Sequence, residues 1–147
     1  MAEYLTRSPI VVTHEQGLSF AAQIREHRLV TDQALRAGGE DAGPSPMELV
    51  SAALGSCVAL YVHQFCVSRG LRHAGMRIEV LPFYATSPNR IARLDVTVHL
   101  PEELSPHVRE MLERVVRSCP VHNTLAHGAA VGVAIEDGAA RAHATAS

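Results

Sequence analysis

Between Ile91 and Leu100, apolar Leu94, Val96 and Val98 alternate with polar Asp95, Thr97 and His99. A period of two sends one set of side chains to a core and the other to water, so the pattern predicts a half-buried antiparallel strand. Met76 to Ala85 is its expected partner, joined through Thr86-Ser87-Pro88-Asn89. Three β-rich stretches open the chain. The first, Tyr4 to Val12, ends at a turn over His14-Glu15-Gln16-Gly17. Leu18 to Ile24 and Arg28 to Asp32 follow, and together they predict an N-terminal meander. Ala129 to Ile135 reads as a last strand.

The helices announce themselves at their ends. Ser45 stands as an N-cap, Pro46 as the first helical residue and Glu48 as the third, which completes a capping box. This helix is expected from Pro46 to about Arg69, stopped by Gly70. It is apolar on nearly every side over its first four turns, so it is buried centrally or against a partner. Ser105-Pro106 repeats the start signal, and Val108, Met111, Leu112, Val115 and Val116 recur at helical spacing. Pro120 closes that helix at Cys119 and opens a short one to His127, ended by Gly128. The Gly-rich stretch Arg36 to Pro44 is a loop. Strands cluster at both ends with helices between, so the class is α+β. One domain over residues 1–137 is expected, with 138–147 as a disordered tail.

Composition narrows the function classes. The chain has 147 residues, 47% of them apolar and 19% charged, which suits one globular domain. Thirteen Lys+Arg against fifteen Asp+Glu give a net charge of −2 with no basic run. A nucleic-acid partner and a polybasic membrane surface are therefore not expected. The longest nearly apolar stretch, Leu49 to Val62, is too short to span a bilayer. The N-terminus lacks the pattern of a signal peptide, so the default location is the cytoplasm.

Three cysteines, none in a C-x-x-C, do not make a disulfide scaffold. Cys57 sits mid-helix among small apolar residues, where a packed core thiol is the plain reading. Cys66 lies nine residues on, half a turn around the helix, and reads as structural. Cys119 joins two helices at a plausible N-cap position. Free backbone N–H groups and the helix dipole there favour a thiolate, so local physics makes Cys119 the more activated thiol. His122 stands one turn away as a base or cation. A metal site at Cys119, His122 and His127 is the main rival, although two histidines at i and i+5 do not share a helix face. No metal or cofactor is expected.

Two segments together resemble the OsmC/Ohr family of bacterial thiol peroxidases. One is Gly43-Pro-Ser-Pro-Met-Glu-Leu-Val-Ser-Ala-Ala-Leu-Gly-Ser-Cys57; the other is Cys119-Pro-Val-His-Asn-Thr-Leu125. The resemblance covers residues 5–137. It implies an intertwined homodimer, with two long central helices flanked by antiparallel sheets from both chains and two sites at the interface. It also implies that Cys57 attacks an organic hydroperoxide, that Cys119 resolves the sulfenic acid to a disulfide, and that a dithiol reduces it. Two positions depart from the family pattern. Met47 stands where active members carry glutamate, and Glu48 is the capping-box partner. The turn His14–Gly17 lacks the family's arginine, which leaves Arg28 and then Arg25, on the following strands, as candidate cations for Cys57. Two readings follow: a thiol-dependent peroxidase in oxidative-stress defence, and a non-enzymatic redox-sensing or small-ligand-binding dimer.

Overall fold

The computed structural model describes Leu5 and residues 7–138. Its elements run β1 (Val11–Gln16), β2 (Ser19–Ile24), β3 (His27–Thr31), α1 (Pro46–Arg69), β4 (Arg77–Thr86), β5 (Asn89–His99), α2 (Pro106–Arg117) and α3 (Pro120–His127). The α+β class follows, with two antiparallel sheets, β1-β2-β3 and β4-β5.

The α1 boundaries are those its caps dictate. The Ser45 side chain accepts from the Glu48 N–H, and the Glu48 carboxylate accepts from the Ser45 N–H at 2.7 Å. Gly70 ends the helix in the left-handed conformation at φ 65. Leu54, Val58, Val62, Phe65 and Cys66 of α1 meet Leu112 of α2 and Cys119 to form the core. The β4-β5 hairpin covers it, with Ile78 opposite Val98 and Val80 opposite Val96. Helix and hairpin approach closely at Gly55, where a Cβ would lie 3.2 Å from Val80 Cγ2.

The core uses one side of α1 only. Ala53, Ser56, Leu60 and Val67 on the other side are exposed. By length and composition alone, α1 could cross a membrane. The meander stands apart, because no other element of the chain packs closely on its strands. The loop after β3 is instead tied down by Asp32, a buried residue whose carboxylate accepts N–H groups from Gln33, Glu40 and Ala42 at 2.7, 3.1 and 3.1 Å.

Two strand expectations change. The first strand is displaced: it continues through His14–Gln16, and the turn is Gly17-Leu18. Every residue of β1 is exposed, so its alternation had no core to mark its register. Part of the expected strand lies outside the described residues. Ala129 to Ile135 joins neither sheet, and Val131, Val133 and Ile135 are 85%, 83% and 91% exposed. Strand-like alternation needs a sheet edge, and this segment meets none among the described residues. The expected tail lies outside the described residues beyond Gly138.

Candidate active site

Cys119 occupies the junction that Pro120 creates. Its backbone is extended, at φ −65 and ψ 141, and its Sγ accepts the His122 N–H at 3.3 Å. The expected N-cap is therefore present. The expected activation is not. Cys119 is fully buried, and burial pushes its thiol above the ordinary range. The His122 N–H pulls the other way, and the neighbouring Cys57 thiol adds a hydrogen bond and a charge that raise it further. Desolvation outweighs the helix terminus, so the N-cap does not lower the Cys119 thiol.

Cys57 is half-buried on the turn of α1 that meets α3. It is the cysteine of this pair with access to solvent. The two reduced thiols stand side by side, close enough to perturb one another. Cys66 is fully buried, and burial, then the Glu102 carboxylate, raise its thiol.

Of the two candidate arginines, one keeps its expected strand. Arg28 lies on β3 and forms an ion pair with Glu15 of β1 on an exposed face. Arg25 is not on a strand. It forms the β2-β3 turn at φ 54, and its carbonyl accepts from Gln23 Nε2 at 2.6 Å. A two-residue turn needs positive φ, and no glycine supplies it here. Neither arginine bonds either cysteine among the described residues. Met47 is half-buried, and its carbonyl is 3.5 Å from Ser51 Oγ. His122 contributes its backbone N–H to Cys119, while its side chain lines a groove of about 1090 Å³ between β5 and the helices. His127 ends α3, exposed. No three His, Cys, Asp or Glu side chains converge among the described residues.

Neither cysteine lines that groove. Nor does either line the smaller cavities of about 600 Å³, between α1 and α2, and about 450 Å³, between α1 and β4. Sequence reasoning missed Asp32, although an aspartate just before a glycine-rich loop is a known local acceptor of backbone N–H groups.

The OsmC-like protein family profile matches residues 38–134, which include both cysteines. No curated protein matches the chain. Among solved structures, the chain is similar to a Psychrobacter arcticus protein named for osmotic stress induction and detoxification response. The TM-score is 0.73 at 20% identity, over 84% of this chain and 91% of that one. It is also similar to organic hydroperoxide resistance proteins of Legionella pneumophila and Elizabethkingia anophelis. The first has a TM-score of 0.56 at 15% identity, over 82% of this chain and 91% of the other. The second has 0.58 at 16%, over 81% and 89%. At these identities the structures speak for the fold, and the match over two-thirds of the sequence speaks for descent: the chain belongs to the OsmC-like family.

Proposed function

We propose that the protein is a homodimeric cysteine-based peroxidase that reduces organic hydroperoxides. The observation that carries this reading is the side-by-side placement of reduced Cys57 and Cys119, one half-buried and one enclosed. The names of the Legionella and Elizabethkingia relatives supply the substrate class. The Cys57 thiolate attacks the outer oxygen of ROOH. The S–O bond forms as the O–O bond breaks, and the alkoxide leaves as ROH after taking a proton. Cys57 is now a sulfenic acid, two electrons poorer. The Cys119 sulfur then attacks Cys57 Sγ, water leaves, and a disulfide forms. A dithiol returns the two electrons and becomes a disulfide itself.

The pair also sets the order of events. While Cys57 is a thiolate, its charge helps hold Cys119 protonated. Once Cys57 is a neutral sulfenic acid that charge is gone, and Cys119 ionises more easily when it is needed.

The dimer supplies what one chain lacks. The bare side of α1 and the unpaired Ala129–Ile135 segment are surfaces that a second copy would cover. A partner copy would also enclose the cysteines and bring an arginine, Arg28 or Arg25, to Cys57. The cation matters because it favours the thiolate, which is the nucleophile, over the protonated thiol.

A redox-sensing dimer is the second reading. Met47 and the Arg28–Glu15 pair favour it, since both leave Cys57 without its activating partners in one chain. Steady-state reduction of cumene hydroperoxide with a dithiol separates the two. The peroxidase reading expects turnover that exceeds that on hydrogen peroxide and vanishes in Cys57→Ser. Disulfide formation without turnover would favour the sensor.

A further inference from the structure

Two histidines outside the cysteine site stand ring to ring. His63 is exposed on α1, and His73 is half-buried in the connection from α1 to β4. Their ring centroids are 4.8 Å apart, with the planes at 77°. Both sit on fixed backbone. His63 lies within the helix. The connection holding His73 is tied at three points. The Leu71 N–H reaches the Cys66 carbonyl at 2.9 Å, the Arg72 N–H reaches Glu102 Oε2 at 2.6 Å, and the Met76 N–H reaches the His73 carbonyl at 3.0 Å.

His73 Nδ1 lies 3.1 Å from the Leu71 carbonyl oxygen. A carbonyl only accepts, so Nδ1 carries the proton and Nε2 keeps its lone pair. A backbone carbonyl behind one ring nitrogen is the arrangement that orients metal-ligating histidines. The nearby Arg72 guanidinium faces Glu102 at 4.0 Å, so its charge is partnered.

We propose that His63 and His73 together ligate a divalent transition-metal ion. With metal–nitrogen bonds of about 2.0–2.1 Å and bond angles of about 90–110°, two imidazoles on one ion have centroids about 4.5–5.2 Å apart. The observed 4.8 Å falls inside that range. Imidazole nitrogen selects cobalt, nickel, copper or zinc over magnesium and calcium. His63 shares the bare side of α1 with Ser56, Leu60 and Val67, so the remaining positions fall to water or to groups of the second copy. The bound ion would staple the α1–β4 connection to the helix.

The test is titration of tag-free, full-length, reduced protein with Co²⁺, followed by competition with Zn²⁺. Near-ultraviolet absorption reports thiolate ligands, and circular dichroism checks that each variant is folded. The expected result is one Co²⁺ per chain without a thiolate charge-transfer band. Affinity should fall at least tenfold in both His63→Gln and His73→Gln and persist in Cys57→Ser. Binding unaltered in the two histidine variants, a thiolate band accounting for all bound metal, or no binding at millimolar Co²⁺ would each overturn the proposal.

Discussion

Cys119 and Asp32 are enclosed titratable groups whose surroundings act in opposite directions. Backbone N–H groups of Ala42 and Gln33, in that order, hold the Asp32 carboxyl below its ordinary value against some desolvation, with Glu40 assisting. A folded value below the unfolded one means the ionised form stabilises the fold. That stability is present above about pH 4 and is lost as pH falls through the folded value. Asp32→Asn should therefore lower the urea midpoint at neutral pH, and its deficit should shrink below about pH 4. A constant deficit down to acid pH would contradict this. Cys119 has the reverse sign: its raised value stabilises the fold below about pH 8.5, with loss as pH climbs through the folded value. Cys119→Ala should flatten the alkaline limb of the same urea series. Oxidation should join Cys57 to Cys119 and leave Cys66 free, a pattern that peptide mapping after mild peroxide treatment would read. The pairing was legible only through the resemblance of its two segments, and the effect of burial on Cys119 was not legible at all, because an N-cap is a local feature and burial is a tertiary one.

Proline and cap positions explain why the helices were legible and two strands were not. Pro46, Pro106 and Pro120 each open a helix behind a capping Ser45, Ser105 or Cys119. Such signals are written within four residues and need no tertiary context. Removing one should have a local effect. Ser45→Ala should cost about 1 kcal/mol, measured as a shift in denaturant midpoint with an unchanged slope. β4 and β5 were legible because one face of each is covered by α1. β1 is exposed throughout, and Ala129 to Ile135 has no neighbouring strand among the described residues, so neither pattern had a core face to mark it. Arg25 illustrates a further limit, since nothing in Arg25-Glu26 marks a left-handed turn. The loop after β3 is more exacting. At Gly39 and Gly43 a Cβ would lie 2.0 Å from the Gln33 carbonyl oxygen and 2.4 Å from that of Val30, so both positions admit only glycine.

The whole molecule is an open shape with apolar surfaces on several sides. Leu60 and Val67 of α1 are 52% and 56% exposed, in line with Ala53, Ser56 and His63, a mixed stripe that a second helix would cover. Sedimentation should give twice the chain mass, and Leu60→Glu, which places a charge in the middle of that stripe, should shift the equilibrium to monomer. A parent protein that sediments at about 16 kDa under micromolar conditions would remove the dimer, and with it the enclosed site. The sequence marked α1 as too apolar for a surface helix, yet which of its faces the hairpin covers depends on how β4 meets Gly55.

The graded exposure of the three thiols also makes the protein its own stopwatch. Cys57 is partly open, whereas Cys66 and Cys119 are sealed. A brief pulse of alkylating reagent on native protein should add one label per chain, and on denatured protein three. Slow acquisition of the second and third labels would time the breathing of the molecule. Cys119 would clock the lifting of α3, and Cys66 the parting of α1 from the residues packed around it, so two local motions could be followed separately without an added probe.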